Sequence, residues 1–135
     1  MKIRFSLFIA LFFVVMGNLL AQTDVPKHYE LKGKAYTQSD SILNVWMKNE
    51  FPYILKKNKL QLTCSGCSSI YMDVVIKVDN AGKLGGTQIK TTHCCGGAFS
   101  LKLENQFLEY FNTLLFPGSL HNISFQYRLG TGLSC

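Results

Sequence analysis

Residues 70–92 read IYMDVVIKVDNAGKLGGTQIKTT, and this stretch decides the fold. Met72, Val74, Ile76 and Val78 alternate with Asp73, Val75, Lys77 and Asp79, the period-two pattern of a strand with one dry face. Asp79-Asn80-Ala81-Gly82-Lys83 is turn chemistry, because Asn and Gly tolerate positive φ. Beyond the turn, Thr87, Ile89 and Thr91 alternate with Gln88, Lys90 and Thr92. Two such runs around a short turn predict an antiparallel hairpin.

Working outward, residues 100–116 return to helical spacing. Leu103, Phe107, Tyr110, Phe111, Leu114 and Leu115 share one face, Ser100 is a candidate cap, and Phe116-Pro117-Gly118 stops the helix. Residues 122–129 then alternate again: Ile123, Phe125, Tyr127 and Leu129 against Asn122, Ser124, Gln126 and Arg128. Before the hairpin, Ser39-Asp40 is a plausible helix start. Ile42, Val45, Trp46, Asn49 and Tyr53 make one stripe after it, and Pro52 ends or kinks that helix near Phe51. The order helix, strand, strand, helix, strand predicts an α+β domain with helices on one face of a small antiparallel sheet. A right-handed crossover places the last strand beside the first, giving sheet order 2-1-3 with strand three at an edge.

The chain has 135 residues and a formal charge of +6. Lys2 and Arg4 precede an almost unbroken apolar run over residues 5–15, and Leu19-Leu20-Ala21 offers a small residue before Gln22. This is the layout of a cleavable secretory signal over residues 1–21. The run is at or below the ~17–25 residues needed to span a bilayer, so no stable membrane anchor is expected after cleavage. Residues 22–38, polar and without a sustained period, are expected to form an N-terminal arm, and residues 39–135 the domain. The expected location is periplasmic or secreted.

Several function classes find no support. The lysines are scattered apart from Lys56-Lys57-Asn58-Lys59, a run suited to a solvated helix end, so no nucleic-acid partner is expected. Asp73 and Asp79 read as solvated strand residues, and His28 and His121 are isolated. Ser65 and Ser68 have no His/Asp arrangement beside them. Asn122-Ile123-Ser124 matches a glycosylation acceptor but begins a strand. Gly82, Gly85 and Gly86 flank a hairpin with no helix to complete a phosphate cradle. No catalytic residue and no cofactor is assigned, so a non-enzymatic protein is expected.

Five cysteines remain: Cys64, Cys67, Cys94, Cys95 and Cys135. With residues 79–83 as the turn, Tyr71 falls near Thr91 and Cys67 is carried toward Cys94 and Cys95. Two sequence-distant cysteine groups should therefore meet at one end of the hairpin. Export favours disulfides among Cys64, Cys67, Cys94 and Cys95, most simply joining the 64/67 group to the 94/95 group. The local alternative is a bridge within Cys64-Ser65-Gly66-Cys67. A second chemistry is zinc or copper(I) held by four of Cys64, Cys67, His93, Cys94 and Cys95. Redox catalysis is the third, disfavoured because this Cys-x-x-Cys precedes a strand and not a helix. Cys135 is expected as the odd thiol or as the link of a disulfide-bonded dimer.

The C-terminal half, residues 71–129, resembles the TonB carboxyl-terminal domain family. The resemblance rests on "IKVDNAGKL", "GTQIKTT", the helix "SLKLENQFLEYFNTLLF" closed by Pro117, and the final strand "NISFQYRL". It implies binding of a protein partner in the cell envelope by adding the partner's extended peptide to a sheet edge. Asn122, Ile123, Ser124, Phe125, Gln126, Tyr127 and Arg128 would supply that edge. Arg128 and Gln126 serving only to protect an idle edge is the competing reading. An energy transducer requires a membrane anchor and a long Pro-rich arm; here the N-terminal apolar run is expected to be cleaved, and residues 22–38 would reach at most ~60 Å fully extended, with only Pro26 to stiffen them.

Overall fold

A computed structural model describes residues 24–135, so the expected signal at residues 1–21 lies outside the described residues. Helix α1 (Gly33–Val45) passes through a wide π turn (Trp46–Glu50) into α2 (Phe51–Lys57). Strands β1 (Ser69–Val78) and β2 (Leu84–Cys94) follow, then α3 (Leu101–Thr113) and β3 (Ser124–Gly132). The three strands form one antiparallel sheet ordered β2-β1-β3, as the crossover argument requires.

Alternation sets the layers. Ile70, Met72, Val74, Ile76 and Val78 of β1 are buried, as are Phe125, Tyr127 and Leu129 of β3. They meet Leu103, Phe107 and Phe111 of α3, and Ile42, Trp46, Phe51 and Ile54 of the N-terminal helices. Phe107 sits at the centre of an aromatic cluster, 4.7 Å from Phe99, 5.1 Å from Trp46 and 6.0 Å from Phe51 between ring centroids. Ser100 caps α3, its hydroxyl accepting the Leu103 N–H at 3.2 Å.

Four expectations are corrected. The first concerns the arm: helix begins at Gly33, inside residues 22–38, and Ser39 is not a cap but a buried helix-interior residue. Its hydroxyl donates to the Tyr36 carbonyl, a local bond that serves a serine inside a helix. The second concerns Pro52: the helix does not end near Phe51, although its regular α form is interrupted just before that residue. The π turn immediately before it, with Phe51 N–H bonded to Trp46 C=O, opens the backbone where the proline ring would crowd a carbonyl one turn back. Of the expected stripe, Ile42 and Trp46 are buried, while Val45, before the π turn, and Tyr53, after it, are exposed.

The third concerns α3, which stops at Thr113; Leu114 is already extended and Leu115 is exposed. The fourth concerns register. Val78 faces Leu84 but Lys77 faces Gly86, and Val74 faces Ile89 but Asp73 faces Thr91. Gly85 and Lys90 are each an extra residue in β2, so Tyr71 pairs with His93 and not Thr91.

Candidate functional site

The edges of the sheet are β2 and β3, and β3 is partly covered by the chain itself. The Gln126 backbone N–H points away from β1 and donates to the Pro26 carbonyl at 2.9 Å. Its side-chain amide donates to the Val25 carbonyl, and Lys27 forms a parallel bridge with Gln126. Residues 25–27 thus lie along β3 as a short strap. Pro26 suits this place, since it has no N–H to leave unpaired. Backbone groups alternate sides along a strand, so Ser124, Arg128 and Gly130 present theirs on the same side as Gln126. Among the described residues, the strap bonds the backbone of Gln126 and reaches neither Ser124 nor Arg128.

His28 anchors the strap. Its ring lies 5.2 Å from that of Tyr127, and its Nε2 is 3.7 Å from Asp40. Burial pushes the imidazole below its ordinary pKa, opposed by the carboxylate of Asp40. Tyr127 donates its hydroxyl to the Ser39 carbonyl, and burial raises its pKa far above the ordinary tyrosine range.

Of the seven expected partner-binding residues, Phe125 and Tyr127 belong to the core, and Asn122 and Ile123 precede the strand. Ser124, Gln126 and Arg128 face the other way. Arg128 is engaged rather than free: its guanidinium donates two hydrogen bonds of 2.8 Å to Asp73, directly opposite on β1. It also lies 4.3 Å over the Tyr71 ring, which stacks on His93 at 5.4 Å. The bond to Asp73 holds the guanidinium above its usual pKa. Beside this row a hollow of about 500 Å³ is lined by Lys27, His28, Asp73, Lys90, Gln126 and Arg128.

The cysteines do meet at one end of the hairpin, with two changes of partner. Cys67 is bonded to Cys95, joining the two groups. Cys64 is bonded to Cys135, and Cys94 is the thiol left over. The expectation of a dimer linked through Cys135 therefore gives way to an intrachain bridge. The physical reason is topological: β3 runs antiparallel to β1, so Ser69 pairs with Gly132 and the C-terminus arrives beside Cys64. The zinc or copper reading loses its donors, because Cys64, Cys67 and Cys95 carry no thiolate while bridged. Among the described residues, no cluster of three His, Cys, Asp or Glu side chains is arranged to hold a metal.

Sequence reasoning passed over the strap. Pro26 beside a run of polar residues was the available signal, but nothing local indicates which strand it meets. No protein-family model, curated protein or solved structure matches the chain. Among the described residues, no helix is long and apolar enough to cross a membrane.

Proposed function

We propose that this chain is a non-enzymatic, exported bacterial envelope protein whose disulfide-stapled, TonB-like domain binds a protein partner by strand addition at β3. One observation carries the reading: the outward backbone N–H of Gln126 already bonds an extended segment, residues 25–27. An edge that holds one extended segment has the unpaired ladder and the side-chain spacing to hold another. The partner would extend along Arg128 and Gly130, beyond the strap, or replace the strap at Gln126.

Export is supported by the two disulfides, which persist in oxidising compartments, and by the signal layout of residues 1–21. The transport role of the family's energy transducers does not come with the fold. Binding sites are read from the site itself, and here that site is an edge.

The test is photo-crosslinking in intact cells from positions 124 and 128, with position 102 on the exposed surface of α3 as the control. Adducts specific to the edge positions are expected, those from position 128 being lost on Ser124→Pro. Adducts that are equal at all three positions, or unchanged by the proline, would sink the reading.

A further inference from the structure

We propose that Cys67, Cys94 and Cys95 form a thiol–disulfide exchange site, in which Cys94 and Cys95 alternate as the disulfide partner of Cys67. This inference is independent of strand addition at β3. The Cys94 Sγ lies 3.8 Å from the Sγ of Cys95, so a free thiol is in contact with a sulfur of an existing bridge. Cys67 and Cys94 also pack against the same hydrophobic core, which puts both side chains at one end of it. The three sulfurs are carried by two short stretches joined by a backbone bond from Cys95 N–H to Ser69 C=O at 3.2 Å, and the second stretch is turned by Cys94 N–H to Gly97 C=O at 2.7 Å.

The backbone at this corner favours a change of partner. Cys95 has φ of 53°, a left-handed conformation that is uncommon for a residue with a side chain. Transferring the bridge from Cys95 to Cys94 would free Cys95 of the constraint that fixes its side chain there. Cys94, by contrast, is the last residue of β2 and pairs with Ile70, one element of regular sheet.

The chemistry is internally balanced. The Cys94 thiol loses its proton to solvent, and its thiolate attacks the Cys95 Sγ. The Cys94–Cys95 bond forms as the Cys67–Cys95 bond breaks, and the electron pair leaves on the Cys67 sulfur. The Cys67 thiolate then attacks the Cys94 Sγ, closing Cys67–Cys94 and releasing Cys95. One disulfide and one thiol are present at every stage, and no outside oxidant or reductant is consumed. Because the thiolate is the attacking species and burial pushes the Cys94 thiol up, exchange is quenched by acid and its isomers can be trapped.

Two measurements test the proposal. The intact oxidised protein is held at mildly alkaline pH, acid-quenched, labelled with a thiol reagent active in acid, and digested without reductant. Fragment-ion sequencing should find label on Cys95 as well as on Cys94. Label confined to Cys94 overturns the proposal. In the second, folded Cys95→Ser protein should contain a Cys67–Cys94 disulfide and no free thiol. Two labelled thiols at Cys67 and Cys94 also overturn it. The wild-type measurement stands even if the variant does not fold, and Cys94→Ser, which keeps Cys67–Cys95, controls for handling.

Discussion

Cys135 is bonded to Cys64 across 71 positions of sequence, their Cα atoms 5.6 Å apart. This bridge ties the C-terminal end of β3 to the segment that enters β1, and it encloses the whole sheet and α3. The second bridge, Cys67–Cys95, spans 28 positions and encloses only the hairpin. Both staples sit at the same end of the sheet, leaving the opposite end to the turns at residues 79–83 and 118–122.

The longer loop should be the more stabilising one. Cross-links restrict the unfolded chain more as the enclosed loop grows, at about 2–4 kcal/mol per bridge. Removing both cysteines of the 64–135 pair by serine substitution is expected to destabilise the domain more than removing the 67–95 pair, by up to about 1 kcal/mol. Denaturant unfolding of the two double variants checks the order. The reverse order would show that native-state contacts around the hairpin bridge outweigh chain entropy.

The core makes a second claim. Phe107 is fully buried and in ring contact with Phe99, Trp46 and Phe51. Phe107→Ala should cost about 3–5 kcal/mol through lost burial and the cavity left behind. Leu101→Ala, on the exposed surface of the same helix, should change stability by less than about 0.5 kcal/mol. Thermal unfolding of the pair separates a packed face from a solvated one.

Gly130 makes a third. Its φ is 97°, and a Cβ there would collide with the Ile70 carbonyl and stand 2.9 Å from the Tyr71 Cα. Because both neighbours are backbone of β1, they cannot move aside without breaking the ladder. Gly130→Ala should destabilise by more than about 1 kcal/mol, whereas Gly86→Ala meets nothing within 4 Å and should be nearly neutral. A Gly130→Ala protein as stable as its Gly86→Ala counterpart would contradict the close β1–β3 approach at this position.

Much of this was legible from local pattern. Met72, Val74, Ile76 and Val78, and later Phe125, Tyr127 and Leu129, alternate in the sequence and are buried in the structure. The strand order followed from one helix and one handedness rule. What stayed hidden depends on contacts between distant residues. The first turns of helix α1, from Gly33 to Gln38, bury no side chain and so carry no stripe in the sequence; its buried residues are Ser39 and Ile42. The β-bulges at Gly85 and Lys90 leave no compositional mark, yet they shift the cysteine end of β2 by two residues. Cys135 was within reach of the topology: order 2-1-3 with β3 antiparallel to β1 sends the C-terminus to Cys64.

Acid should loosen the strap. Burial holds the folded-state pKa of His28 below its ordinary 6.5, and Asp40 offsets this only in part. The unfolded chain therefore takes up the proton first. Stability is at its full value above about pH 6.5 and falls as pH drops through the folded-state value. His28→Gln should flatten that part of the curve between about pH 8 and about pH 5. Amide exchange at Gln126 reports the strap directly: it should speed up in acid, relative to the intrinsic rate, in the wild type and not in the variant. Equal profiles would mean that the ring does not couple the strap to pH.

Removing the strap should make the β3 edge adhesive. Residues 25–27 occupy the outward backbone N–H of Gln126, and without them the groups of Ser124, Gln126, Arg128 and Gly130 form one uninterrupted ladder. Exposed ladders of this kind pair with other chains unless something blunts them. Arg128 blunts the edge only weakly, because Asp73 already takes its charge. A chain beginning at His28 is therefore expected to self-associate as its concentration rises, while the longer chain stays monomeric, which sedimentation measures. Adding Ser124→Pro to the shortened chain should restore the monomer, since the proline removes an outward donor from β3 without touching the core. Self-association that survives the proline would place the contact elsewhere, and the exposed β2 edge, with Thr87 and Gln88, would be the next surface to block.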